Sequence, residues 1–301
     1  DEIFVPYLCH FLSTLKNFFK NKGAGGLQIN ISKKDILSAK IPLPPLAEQQ
    51  RIVAKLDAAF AEIDGTALKT KKAIHQARLL SQKIIDDNVE SQLPDANKIQ
   101  LKNFCNIKHG YAFDGKSFSP SDDKSKPIVL TPGNFAEDGT TKFTQKNTKR
   151  LHDNYDDSLL FSENNLVVVM TDLSSKMQLL GKPAFIKETN ILHNQRIGLV
   201  QNNEQTILNK YLYFYFKSTK YLSEIKRTAS GTMVRHTAPK RILDNYINAP
   251  KSLTSQRQIS DEISKLLFDI AMQISVYEDK TSNLFALKSA ILAQELQSEA
   301  A

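Results

Sequence analysis

"GGLQINISKKDILSAKIPLPP" (Gly25 to Pro45) returns later in the chain as "GTMVRHTAPKRILDNYINAPK" (Gly231 to Lys251). In this register Ile36-Leu37 falls on Ile242-Leu243, Ile41 on Ile247, Pro44 on Pro250, and Gln50-Arg51 on Gln256-Arg257. Internal self-similarity of this length decides the architecture before any single motif does. Each copy is preceded by an apolar aromatic segment, "YLCHFL" at Tyr7 and "YLYFYF" at Tyr211, which predicts helices over 7–20 and 210–227. Each copy ends at proline, which stops strand or helix there. A long helical pattern then begins.

Those patterns carry apolar or small residues at heptad spacing. The first has Leu56, Phe60, Ile63, Ala67, Ile74, Ala77 and Ile84; the second has Ile263, Leu267, Ile270, Ile274, Tyr277, Leu284 and Ile291. After one inserted residue the two sets align, Leu56 on Ile263 and Ile84 on Ile291. Each helix of about 40 residues reaches roughly 60 Å at 1.5 Å per residue. Two such helices in one register predict an antiparallel coiled coil, held by Leu56, Phe60, Ile63, Ile263, Leu267 and Ile270.

Between the helices, residues 99–205 read as short strands separated by turn residues. "IQLKNFCNIKHG" alternates, "KPIVLTPGNF" runs into a Pro-Gly turn, and "NNLVVVMTDL" is a buried strand with a polar end. "GKPAFI" and "RIGLVQ" are shorter strands. The expected class is α+β, a β-rich domain flanked by two long antiparallel coiled-coil helices.

Within that block "GYAFDGKS" (Gly110 to Ser117) fits the phosphate-binding pattern G-x-x-x-x-G-K-[ST]. A nucleotidase would rest on Gly115, Lys116 and Ser117. Such a loop must open a helix whose N-terminal N–H groups hold the phosphates. The next residues, "FSPSDDKSKP", place Pro120 and Pro127 where that helix belongs. No alternation of strand and helix follows, so Asp172 lacks the parallel sheet of a metal-holding acid. The run reads as a turn.

Other catalytic signatures are missing too. The six histidines lack metal-ligand spacing, and two cysteines, Cys9 and Cys105, argue against a zinc site or disulfide framework. No G-x-S-x-G elbow and no glycine-rich cofactor loop occurs. The acid pairs Asp122-Asp123 and Asp156-Asp157 sit in polar surroundings suited to solvated loops. No apolar run approaches the roughly 20 residues that span a bilayer, and no signal peptide is seen, so a cytoplasmic protein is expected.

Charge points elsewhere. Residues 98–250 hold 22 Lys/Arg against 14 Asp/Glu, a net +8, whereas residues 1–97 carry +2 and residues 251–301 carry −2. A block with excess positive charge suits a polyanion, because basic groups release counterions condensed on nucleic acid.

The stretch "IPLPPLAEQQRIVAKLD" (Ile41 to Asp57) closely resembles the conserved spacer of type I restriction–modification specificity subunits. "GYAFDGKSF" resembles the start of their target recognition domains, and "PIVLTPGNF", "VVVMTDLSSKMQLLGKPAFI" and "HNQRIG" resemble later segments. The resemblance implies a C-terminal remnant of a first target recognition domain over 1–45 and a conserved spacer helix over 46–93. A target recognition domain over 94–250 and a C-terminal conserved spacer helix over 251–301 complete the division. Most of a first recognition domain is then absent, consistent with a chain whose first residue is Asp.

By the same resemblance the chain is non-catalytic. The resemblance implies that it reads double-stranded DNA and directs methyltransferase and restriction subunits to a bipartite site. S-adenosylmethionine and ATP would bind those partners, so no cofactor is expected on this chain. A natural half-subunit would pair as a homodimer. The alternative is a stand-alone DNA-binding protein with a coiled-coil dimerisation stalk.

DNA-contacting candidates come from polar turns of the basic block, because bases are read by Arg, Lys, Asn, Gln, Ser and Thr. Tyr111 and Phe113 open the block. Thr171, Ser174, Ser175 and Lys176 follow the buried strand, and Asn194, Gln195 and Arg196 precede another. The turn "KRTASGTMVRH" offers Lys226, Arg227, Ser230, Thr232, Arg235 and His236; its counterpart "KNKGAGGLQIN" offers Lys20, Lys22, Gln28 and Asn30. The turn that recurs in both copies ranks first.

Overall fold

A computed structural model describes residues 2–15, 19, 30–89, 96–136 and 138–297. The chain divides into two compact units, Asp1–Arg78 with Asp269–Ala301, and Leu79–Phe268. It is a mixed α+β fold with two long helices and a β-rich domain between them in sequence.

The first unit is helical. It contains α1 (Val5–Thr14) and α2 (Lys33–Leu37), and α3 (Leu46–Val89) starts here. Pro6 stands in the first turn of α1, where its missing N–H costs nothing. Ser32 and Asp35 cap α2 reciprocally. The last helix of the chain, α7 (Leu253–Gln297), ends in this unit. Three cross-helix ion pairs set its direction: Lys55 with Glu295 at 2.6 Å, Asp64 with Lys288 at 2.7 Å, and Arg78 with Glu278 at 3.3 Å. One number rises as the other falls, so the two helices run antiparallel. Tyr7, Phe11, Ile52, Val53, Leu56 and Leu296 form the buried core, with Phe60, Ile291 and Leu292 packed on it.

The second unit contains the strands. In order they are β1 (Ala96–Gln100), β2 (Cys105–His109), β3 (Phe118–Pro120), β4 (Ile128–Val129), β5 (Lys149–Leu151), β6 (Leu166–Val169), β7 (Thr171–Asp172), β8 (Pro183–Phe185), β9 (Ile191–Leu192) and β10 (Ile197–Asn202). Then come α4 (Asn209–Phe216), α5 (Thr219–Thr228), β11 (Arg235–His236), α6 (Pro239–Leu243) and β12 (Tyr246–Pro250). One four-stranded sheet runs β2-β10-β6-β8 and is antiparallel throughout. A second runs β3-β5-β4-β9, with β4 and β9 parallel. Two ribbons, β1 with β12 and β7 with β11, complete the unit.

Strand β6 shows why this sequence makes a two-sided sheet. Its run "LVVV", three of whose four residues are β-branched, is buried on both faces. Alternation sends Leu166, Val168 and Met170 into a core with Ile107, Val200 and Tyr211. Val167 and Val169 enter a separate core with Ile186, Ile191 and Ile197. Fully burying each such side chain contributes about 1.5–3 kcal/mol.

Two details of the sequence reading change. The aromatic segment over 210–227 is two helices, not one. Ser218 interrupts it, its hydroxyl accepting the Tyr221 N–H. The Asp86 carboxylate takes both the N–H and the hydroxyl of Thr219, at 2.8 and 2.7 Å, and so caps α5. The repeat register also moves. Gln49, not Gln50, stands where Gln256 stands, so the inserted residue lies between proline and glutamine (Pro44 to Gln49; Pro250 to Gln256).

That equivalence is set by hydrogen bonds. Gln49 accepts from the Phe4 N–H and donates to the carbonyls of Glu2 and Pro44. Gln256 accepts from the Leu208 N–H and donates to the carbonyls of Thr206 and Pro250. Tyr7 donates to the Pro42 carbonyl, and Tyr211 to the Asn248 carbonyl. Each unit thus builds the same node. Leu56, Ile291, Leu292 and Leu296 in one core match Ile263, Ile84, Ile85 and Val89 in the other.

Candidate nucleic-acid interface

The β7–β11 ribbon organises the candidate site. Arg235 pairs with Asp172 and His236 with Thr171. The Thr171 hydroxyl lies 3.1 Å from His236 Nδ1. At its base Met170 donates its N–H to the Arg196 carbonyl and accepts the Thr237 N–H at its own carbonyl. Gln195 in turn donates its N–H to the Tyr111 carbonyl, and Tyr111 donates to the His193 carbonyl. Four segments far apart in sequence, around 111, 171, 195 and 236, are therefore stitched into one edge by backbone hydrogen bonds.

Two loops project from this edge. The first, residues 173–178, is held by the buried Asp172 carboxylate, which accepts the N–H groups of Ser174 at 2.8 Å and Leu179 at 2.7 Å. Asp172 is therefore a loop-closing acid. The second, residues 231–234, is closed by reciprocal Ser230 and His236 backbone bonds, both 2.9 Å. Gly231 has φ +90°, a left-handed conformation, and a side chain there would strike the Val234 carbonyl. Arg235 Nη1 donates to the Gly231 carbonyl at 2.7 Å. Arg241 Nη1 donates to the Ser230 hydroxyl at 2.9 Å.

The expected residues divide by exposure. Lys176, Gln195, Arg196, Lys226, Arg227, Ser230, Thr232 and His236 are exposed, and Ser175 with them. Ser174 and Arg235 are half-buried. Thr171 and Asn194 are buried, and the Asn194 side chain accepts the Arg196 N–H, so both build the edge. Tyr111 is 57% exposed with its ring 5.1 Å from that of Phe113 in an edge-to-face pair. Phe113 packs on the cluster of Val129, Leu151 and Leu192. Arg227 and Glu224 form a bidentate pair in the last turn of α5, which raises the guanidinium and lowers the carboxyl from their ordinary pKa ranges. Asn30 is exposed in the other unit; Lys20, Lys22 and Gln28 lie outside the described residues. The helix residues also separate: Leu56 and Phe60 belong to the core of the first unit, and Ile263 and Leu267 to that of the second. Ile63 and Ile270 are buried.

Sequence reasoning missed Arg241, whose signal was the basic pair Lys240-Arg241 just past the turn. It also passed over the apolar tips of the two loops, Leu173, Met233 and Val234, which are exposed.

The "GYAFDGKS" run forms a turn. The Lys116 N–H meets the Asp114 carboxylate, and the Ser117 N–H meets the Asp114 carbonyl. Strand β3 follows rather than a helix. Gly110 is required by close approach, because a side chain there would strike the His193 carbonyl and the Asn194 backbone. His193 is buried and donates from Nε2 to the Ile197 carbonyl at 2.9 Å. Burial pushes its pKa down to about 4, so it is neutral at pH 7. Asp123 and Asp156 cap local turns through Ser125 and Ser158, which lowers both carboxyls. Burial raises the Cys105 thiol to about 12, and both cysteines are free. Among the described residues no group of His, Cys, Asp and Glu is placed to hold a metal, and no helix is long and apolar enough to cross a membrane.

Residues 1–76 match the model of the type I restriction modification DNA specificity domain. The type I restriction enzyme MjaVIII specificity subunit of Methanocaldococcus jannaschii is 22% identical over 86% of the chain and 63% of its own length. The EcoKI specificity subunit of Escherichia coli K12 is 30% identical over 31% of the chain and 20% of its own length. The chain thus spans less than two thirds of these relatives. A solved chain from work on assembly and conformational transition of the type I R-M system superposes with TM-score 0.75 at 16% identity, covering 96% of this chain and 70% of its own. The HsdS subunit of Thermoanaerobacter tengcongensis superposes with TM-score 0.53 at 17% identity, over 97% and 69%.

Proposed function

We propose, from its similarity to the specificity subunits of type I restriction–modification systems, that this chain is a non-catalytic DNA-recognition subunit. Its β-rich unit reads one half of a split site through the edge built by Tyr111, Gln195, Arg196, Lys176, Arg235 and His236. Lys and Arg there meet phosphates and guanine edges, and the polar side chains select bases. The observation that carries this reading is the stitching of four basic and polar segments onto one edge, in a stretch with net charge +8 over residues 98–250.

Chemistry on DNA then comes from methyltransferase and restriction subunits. The helix pair of the first unit leaves Leu68, Met272, Val276 and Phe285 exposed, an apolar set suited to docking the methyltransferase. Selection of bound duplexes from a random library, using the full chain with its co-purifying methyltransferase, tests the reading. Enrichment of one defined motif supports it. Binding without sequence preference supports instead a stand-alone architectural DNA binder.

A further inference from the structure

We propose that Met233, flanked by Leu173 and Val234, is a wedge that enters the stacked bases of duplex DNA and opens one base step. The proposal rests on the DNA-recognition reading and adds a way of reading to it. Among the described residues Met233 is the most exposed large apolar side chain, at 80%, and Leu173 is 62% exposed. The ribbon sets Leu173 beside Val234, the residue that follows Met233. Arg235 pairs with Asp172, so Val234 and Leu173 are the next residues out on the two strands.

Both loops are anchored at their bases. Asp172 anchors one through two N–H groups, and the Ser230–His236 pair with the Arg235–Gly231 bond closes the other. Apolar side chains held out on anchored loops cost free energy in water unless they meet a partner. The surroundings identify that partner. Lys176, Arg235, Lys240 and Arg241 lie on the same two segments or just beyond them, and suit the phosphates on either side of an inserted tip. A protein-docking patch is usually a broad apolar face; here the apolar surface is a narrow tip with basic flanks. Methionine is unbranched and polarizable, which suits insertion between bases, and apolar wedges of this kind unstack steps and kink DNA elsewhere.

The test uses the full chain with its methyltransferase on the selected duplex, with 2-aminopurine placed in turn at each position of the half-site except the methylated base, which a methyltransferase turns out of the stack by itself. Binding of the parent protein should brighten one step. At saturating protein, Met233→Ser and Leu173→Ser should leave that step as dark as in the free duplex, with the dependence of binding on salt unchanged, because phosphate contacts are untouched. No bright step with the parent bound overturns the wedge and leaves DNA recognition standing. So does equal brightening by Met233→Ser. Loss of methyltransferase co-purification by Met233→Ser, with DNA binding and brightening kept, assigns the tip to a protein partner instead. Failure of the parent to bind any duplex overturns both readings.

Discussion

Gln49 and Gln256 make the same three hydrogen bonds in different parts of the chain. Each accepts one backbone N–H, from Phe4 at 2.8 Å or Leu208 at 2.9 Å. Each donates to two carbonyls at 3.1 and 2.8 Å, Glu2 and Pro44 in one case and Thr206 and Pro250 in the other. Both side chains are fully buried. One amide ties the residues ahead of an aromatic helix to the proline ahead of a long helix, twice.

Replacing Gln256 by Leu leaves one N–H and two carbonyls without these partners. Each unsatisfied buried group costs about 1–3 kcal/mol. Denaturant unfolding should show a loss of about 3 kcal/mol or more, and Gln49→Leu a comparable loss in the first unit. Gln256→Glu keeps the acceptor and should lose less when protonated than when ionised. Unchanged midpoints in both Leu variants would show that the node does not stabilise the fold.

His193 predicts a pH dependence. Its folded pKa of about 4 lies below the ordinary value of 6.5. The unfolded chain therefore binds more protons between those values, and stability is lost as pH falls from about 6.5 to 4. The contribution amounts to about 3 kcal/mol at most. His193→Gln should flatten the stability profile between pH 4 and 6.5. An unaltered profile would mean that His193 is not the group being charged.

Lys288 tests the direction of the long helices. It bonds Asp64 at 2.7 Å and lies 4.5 Å from the centre of the Phe60 ring. Asp64→Lys should destabilise by about 1 kcal/mol, and adding Lys288→Asp should restore part of it. Additive losses in thermal unfolding would contradict the antiparallel register.

Met272 and Val276 are exposed on α7. Substituting both with Lys should leave thermal stability within about 0.5 kcal/mol of the parent, as surface changes usually do. Co-purification with the methyltransferase should be lost. Retained co-purification would place docking elsewhere.

Arg235→Ala removes a basic group from the edge and should weaken DNA binding, with a shallower salt dependence. Lys116→Ala, in the turn before β3, should leave nucleotide affinity at the parent's level. A nucleotide affinity lost only in Lys116→Ala would revive the phosphate-loop reading.

Much of the fold was legible because it is periodic or duplicated. The heptad residues from Leu56 to Ile84 and from Ile263 to Ile291 foretold the long helices, and the β-branched run at Leu166 foretold the buried strand. The break at Ser218 carried a local signal, since serine is itself an N-cap and its hydroxyl accepts the Tyr221 N–H; the second cap, from Asp86, 133 residues away in sequence, left none. The register slip at Gln49 was hidden by the adjacent Gln50, and only buried hydrogen bonding tells the two glutamines apart. At the candidate site, residue type pointed to the turns. It could not separate exposed Gln195 and Arg196 from buried Asn194 and Thr171, since that depends on which strand each turn joins. The apolar tips went unseen because hydrophobic residues in a sequence suggest core.

In the proposed role this chain directs methylation to a defined DNA site. Modification-sensitive long-read sequencing of the host genome, with the gene present and deleted, tests it most directly. Deletion should abolish methylation at one split motif. A palindromic motif would fit paired copies of this chain, and a non-palindromic one two different readers. An unchanged methylome in a strain that expresses the protein would contradict the claim.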